Sequence, residues 1–353
     1  MQTVRSWPYT IAVVVSMLVG VAAVVGTYSL GIPIKDPEGF LGPAYVRLPL
    51  LALLLFGIGL VIAGARRRGW RQLRLGMVEV ARYEWSLRRI IYIATGLLTF
   101  YVCYVGYRNL KSVLPVYREN VLYDRQLLEV DKWIFGGTDP AVILHAIFGV
   151  DLTAGVLSFV YLLYLPLVPV SLMAVLVLCR DLAVGAWYAT ALSLNWVLGA
   201  MSYYVLPALG PIYTRPDLFS TLPDTGVSDL QQALLSNRLE FLADPRTSDA
   251  IQGVAAFASL HVSVTFALAL FLQRTGQSRS LRIAAWTFFG LTFVATIYFG
   301  WHYVLDNLAG VLIGYLAVVI GGWATGQRGG GPVGGAVVTA KETEPAPSLV
   351  NAA

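Results

Sequence analysis

Eight apolar stretches of roughly 20 residues recur along this chain, at 11–30, 46–65, 90–107, 152–178, 183–206, 255–272, 281–299 and 304–323. Segments of that length and character satisfy their backbone groups without water only as helices, and they match the thickness of a bilayer. Composition agrees: 57% of the residues are hydrophobic and 13% charged, where soluble domains carry roughly 25% charged residues. The expected fold is therefore all-α, a polytopic membrane helix bundle of about eight transmembrane helices. The formal charge of +5 comes from arginines gathered in turns. No basic stripe interleaves with aromatics, so nucleic acid is not an expected partner.

Charge sets the expected orientation. Between residues 66 and 89 lie Arg66, Arg67, Arg68, Arg71, Arg74, Arg82, Arg88 and Arg89, opposed only by Glu79 and Glu84. Arg274, Arg279 and Arg282 crowd a second turn. Positive loops stay in the cytoplasm, which places both termini inside and the loops 109–150 and 207–253 outside. The first span follows Arg5 and lacks an A-x-A-like cleavage site near Ile32, so it reads as retained. The expected organisation is two additional N-terminal spans with a basic loop (1–89), a six-helix core (90–323) and a disordered cytoplasmic tail (324–353) rich in Gly, Pro and Ala. Cys103 and Cys179 belong to no CxxC pair and read as free, buried thiols.

Polar residues inside apolar helices ask for a reason. His302 and Asp306, four residues apart, share one helix face, and an ionised Asp at mid-depth costs about 2.5–3.5 kcal/mol. With both outer loops on one side, the starts of spans six and eight meet at one membrane level. That gathers Ser259 and His261, His302 and Asp306, and Arg215 of the loop LPALGPIYTRP. Helix starts also offer unpaired N–H groups and a positive dipole end to an anion. Plainer readings stand beside these: Ser259 and Asp306 as helix caps, Arg215 as an ordinary loop charge, His145 as an interfacial residue. Trp301, Tyr303, Tyr203 and Tyr204 read as interface anchors. A zinc site is a further alternative, but HxxxD lacks the HExxH spacing.

ASLHVS (258–263) resembles the second signature of the type 2 phosphatidic acid phosphatase superfamily, with Leu260 in place of its usual glycine. WHYVLDNLAG (301–310) resembles the third signature, HxxxD. The Ser-Leu-His form, with DKWIFGGTDP and LPALGP upstream, is most similar to the branch containing inositol phosphorylceramide synthases. The family's first signature, KxxxxxxRP, keeps only Arg215-Pro216, with Ala208 at the lysine position. Ala295 and Thr296 stand where the third usually opens with Ser-Arg. Lys111 with Arg118 repeats the lysine-to-arginine interval far upstream. Arg238 and Arg246 are other candidate substitutes.

The resemblance implies a six-helix phosphatase-like core and an enzyme that needs no metal or other cofactor. His302 would be the nucleophile toward a lipid phosphate, Asp306 its orienting partner, and His261 the acid and base. Ser259 and Arg215 would hold phosphate oxygens. Expected partners are a lipid phosphate or phospholipid in the membrane and an alcohol acceptor such as a second lipid or inositol. A non-catalytic phospholipid-binding or lipid-transport protein is the alternative. The expected compartment is the plasma membrane of a bacterium, with the site facing the periplasm or exterior.

Overall fold

Helix α8 (Leu182–Val205) forms the axis of the bundle: 83% of its apolar window is buried inside the protein. Burial on every side explains why the least apolar of the long helices can carry Thr190, Ser193 and Asn195. Thr190 Oγ1 donates to the Ala186 carbonyl at 2.7 Å and Asn195 Nδ2 to that of Ala191 at 2.8 Å. Asn195 Oδ1 accepts from the Ser263 hydroxyl. Satisfied in this way, Thr190 and Asn195 avoid the penalty of burial without a partner.

The computed structural model describes residues 7–39 and 42–327. Arg5 and residues 328–353 of the tail expected to be disordered lie outside them. The other helices are α1 (Thr10–Ser29), α2 (Ala44–Arg68), α3 (Leu73–Glu84), α4 (Leu87–Tyr117), α5 (Asp124–Ile134), α6 (Pro140–Phe148), α7 (Leu152–Leu178), α9 (Pro211–Thr214), α10 (Gly226–Ala243), α11 (Leu260–Arg274), α12 (Arg279–Tyr298) and α13 (Val304–Ala324). A two-residue antiparallel pair, with Glu38 opposite Pro43, interrupts the helical pattern. Seven helices are long and apolar enough to cross a membrane: α1, α2, α4, α7, α8, α12 and α13.

Helix α4 and helix α13 pack on α8, α1 lies against α4, α11 is set between α12 and α13, and α2 rests on α7. Helix α2 is covered over only 11% of its window, and α1 turns Met17, Leu18, Val21 and Val25 outward. Apolar faces of this kind suit lipid rather than water. Cys103 and Cys179 are buried and free.

Two expectations change. The basic stretch after α2, expected only as a loop, keeps most of its arginines exposed but folds into α3, which packs back on α2. There Glu79 and Glu84 pair with Arg67, and Arg180 from the α7–α8 turn reaches Glu84 at 3.3 Å. The sixth segment starts later than its apolar pattern suggests, because Ser259 caps α11 by accepting the Val262 N–H at 3.4 Å. The remaining 15 residues measure about 22 Å, less than the roughly 30 Å hydrocarbon core.

Small residues set the depth of that short helix. Gly310 and Gly314 let α13 approach α11 so closely that an added Cβ would lie 2.4 Å from the Ser259 carbonyl oxygen at the first and 2.4 Å from that of Ser263 at the second. This is the small-xxx-small logic of membrane helices. Gly310→Val forces the pair apart, at a cost of about 1–3 kcal/mol for overpacking. The expected result is a thermal midpoint in detergent several degrees below wild type; an unchanged midpoint would show that the contact is slack.

Candidate active site

The mouths of α11 and α13 are joined by their backbones. The Ser259 N–H donates to the Asp306 carbonyl at 3.0 Å, so the two polar signatures occupy one end of the bundle. The Arg-rich turns occupy the other. Tyr303 ends the tight α12–α13 connection and is the residue before α13. Its N–H donates to Asp306 Oδ2 at 2.9 Å, a carboxylate cap on the helix. The same oxygen lies 3.4 Å from His302 Nδ1. That contact is in ion-pair range but is not an aligned hydrogen bond, and Asp306 Oδ1 has no partner. His302 is 5% exposed and Asp306 is fully buried.

The second imidazole faces the first. The rings of His261 and His302 are 6.1 Å apart between centroids. His261, half-buried, lies between Tyr161 at 4.5 Å and Tyr164 at 4.2 Å. Tyr161 in turn stacks on Trp301 at 5.3 Å. Trp301, Tyr203 and Tyr303 are 7%, 2% and 1% exposed, so they wall the site rather than anchor at the membrane surface. Their aromatic composition resembles an interface belt; only their burial separates the two roles.

The two helix starts are not equivalent as anion sites. Asp131 of α5 accepts the Val304 N–H at 2.9 Å, and Asp306 takes that of Tyr303. The positive end of α13 is therefore already neutralised by carboxylates. At α11 the Ser259 N–H goes to Asp306, and its hydroxyl serves as the cap. Leu260 and His261 keep first-turn N–H groups that have no intrahelical acceptor. The open dipole end is thus the one beside His261.

Arg215 is placed elsewhere in its contacts. Its Nε and Nη2 bond both Asp217 oxygens, at 3.0 and 2.7 Å, and this exposed pairing raises the guanidinium pKa and lowers that of the carboxyl. Lys111 is 8% exposed on α4. Its Nζ donates to Tyr107 Oη at 3.4 Å and sits 4.8 Å from the centre of the Tyr203 ring. No carboxylate forms an ion pair with it among the described residues. The sequence offered Lys111 only through a spacing; the fold sets it against Tyr107 and Tyr203, where its carbonyl accepts from Gln252 Nε2 at 2.9 Å in the segment that leads into α11.

Thr296 explains one departure from the family signature. It is fully buried and bonded to Asn307 Nδ2 at 2.9 Å, stapling α12 to α13 where the third signature would carry arginine. His145 bonds the Tyr298 carbonyl at 2.8 Å and holds α6 to α12. Among the described residues no three His, Cys, Asp or Glu side chains converge as a metal would require.

Burial pushes the Asp131 carboxyl up to about 6; the Val304 N–H opposes this, and the charges of Asp306 and Asp139 add to it. The folded chain then holds a proton that the unfolded chain, near 3.9, has released. Stability falls as pH rises between about 4 and 6, by roughly 1–2 kcal/mol after allowance for solvent screening. Asp131→Asn keeps an oxygen for Val304 and removes the titration. On going from pH 7 to pH 5 the wild-type midpoint in detergent should rise relative to the variant; parallel curves would refute this.

Comparison with curated proteins and with solved structures gives no match. Residues 125–320, from α5 into α13, match the family model described as the PAP2 superfamily. That stretch is more than half of the chain, and it holds both imidazoles, Asp306 and Ser259. The chain belongs to the PAP2 superfamily.

Proposed function

We propose that this protein transfers the phosphoryl group, or a phospho-headgroup, of a membrane lipid through a covalent phosphohistidine on His302. The observation that carries the reading is the facing pair of imidazoles, one of them backed by a buried carboxylate. Family membership supports chemistry on lipid phosphates.

In this mechanism Nδ1 of His302 turns to Asp306, which leaves Nε2 for phosphorus. As Nε2 attacks, the bond from phosphorus to the leaving oxygen breaks, and protonated His261 gives that oxygen its proton. Asp306 stabilises the charge on the His302 ring and fixes its tautomer. The 3.4 Å separation tightens when that charge develops. Neutral His261 then takes a proton from the incoming hydroxyl, whose oxygen attacks phosphorus as the N–P bond breaks.

Phosphoryl transfer depends mainly on positioning and charge neutralisation. Lys111 supplies the cation absent at Ala208, and the first-turn amides of α11 supply donors. Ser259 acts through the helix start it caps. Arg215 joins by exchanging Asp217 for a phosphate oxygen, an easy exchange for an exposed ion pair. The Arg-rich turns at the opposite end support a cytoplasmic side there and an outward-facing site, with both termini inside, in a bacterial plasma membrane.

Water as the second nucleophile makes a phosphatase; an alcohol makes a transferase. Similarity of the upstream stretches to inositolphosphotransferases favours transfer to a lipid or inositol hydroxyl, within a catalytic unit spanning 90–323. Following inorganic phosphate against labelled lipid separates the two. With phosphorus-labelled lipid, wild type should trap an acid-labile label that His302→Asn lacks. Asp306→Asn should slow turnover about 10²–10⁴-fold, and Lys111→Met about 10²–10³-fold. Full activity of His302→Asn would overturn the covalent route and favour a lipid-binding or transport role.

A further inference from the structure

A second set of cations lies beyond the imidazoles. Arg118 and Arg238 line one open crevice, whose other walls include Leu114, Pro115, Pro207 and Val254. Its lining holds no carboxylate, and the only further polar side chain is that of Asn120. Arg238 is 6% exposed, and its one hydrogen bond runs from Nη2 to Asn120 Oδ1 at 2.7 Å. Arg118 donates through Nη1 to the Tyr204 carbonyl. A guanidinium carries five N–H donors, so most of the donors of both remain unused. The carboxylate whose charge acts on Arg238 is Asp124. Its oxygens are already taken by the N–H groups of Leu209 and Gly210 and by the Tyr303 hydroxyl.

One buried and one half-buried guanidinium, neither in an ion pair among the described residues and both set in apolar walls, call for an oxyanion attached to something apolar. Lys111 lies on α4 and Arg118 is the C-cap of that helix, seven residues on, so the two are about 10 Å apart along its axis. The segment 207–209 forms one wall of the crevice. Its Ala208 carbonyl accepts from Ala256 at 2.8 Å, and just beyond it Ile212 donates to the Gly300 carbonyl at 2.8 Å. The crevice wall is thus tied to the segment before α11 and to the α12–α13 connection.

We propose that Arg118 and Arg238 form a second anion subsite, which takes the phosphate of a lipid headgroup or free phosphate against the 207–209 segment. The proposal rests on the lipid-phosphate reading for its role, but binding is measurable without turnover. The full-length chain in neutral phosphatidylcholine nanodiscs is titrated in parallel with dihexanoylphosphatidylglycerol and with inorganic phosphate, and its thermal midpoint is followed. His302→Asn serves as the reference, so that no covalent product forms. A saturable rise with the short-chain lipid assigns the subsite to a headgroup; a rise with phosphate alone assigns it to the free anion.

In either arm, Arg118→Gln and Arg238→Gln in the same background should weaken binding about tenfold or more. That is the scale of one lost charge-assisted contact. If Arg238→Gln does not fold, the half-buried Arg118 carries the test alone. No rise in either arm, or the same affinity in both arginine variants, overturns the subsite. An inactive wild-type enzyme with an intact arginine-dependent rise would instead overturn only the phosphohistidine reading.

Discussion

One backbone hydrogen bond, from the N–H of Ser259 to the carbonyl of Asp306, fixes the relation between the two halves of the site. It forms because Gly310 lets α13 lie against the first turn of α11. The depth of both imidazoles follows from it. A slip of one helix by a single turn would move a histidine about 5.4 Å, nearly the full separation of the two rings. The hydroxyl contact between Ser263 and Asn195 of the central helix locks the same register from the other side.

Carboxylates do structural work around this register before any chemistry is considered. Asp124 gathers the 208–210 segment and the Tyr303 hydroxyl, while Asp131 holds the start of α13. Both come from the short helix α5, which lies outside the spans. The loop called outer from its charge is therefore a clamp on the two helix mouths. Lys111 gives the opposite case, a charge buried without a paired charge, which the fold tolerates through the Tyr107 hydroxyl and the Tyr203 ring.

The sequence carried the spans, since apolar length is a direct consequence of bilayer thickness, and it carried the HxxxD and Ser-Leu-His signatures, since those residue types are costly in apolar helices. The start of α11 was less visible. Its apolar pattern runs back through Val254 and Ala256, and only the cap at Ser259 reveals the true beginning. The difference between the two helix starts was hidden as well, because Asp131 reaches α13 from far along the chain. Gly310 and Gly314 did show the spacing of a close helix contact, but the partner face could not be read from one helix alone. Tyr203 and Trp301 have compositions that fit a membrane surface equally well, so burial alone could assign them.

The enclosure of α8 bears on how the molecule is made. Its segment is the least hydrophobic of the long helices, at 1.2 against 2.5 for α2, because its surroundings are protein rather than lipid. On emerging from the ribosome it meets a bilayer that cannot offer Asn195 Oδ1 the hydroxyl of Ser263. Its partners α11 and α13 are synthesised later. Biogenesis of this protein is therefore a post-insertion assembly, in which the centre of the bundle is the last part to become dry.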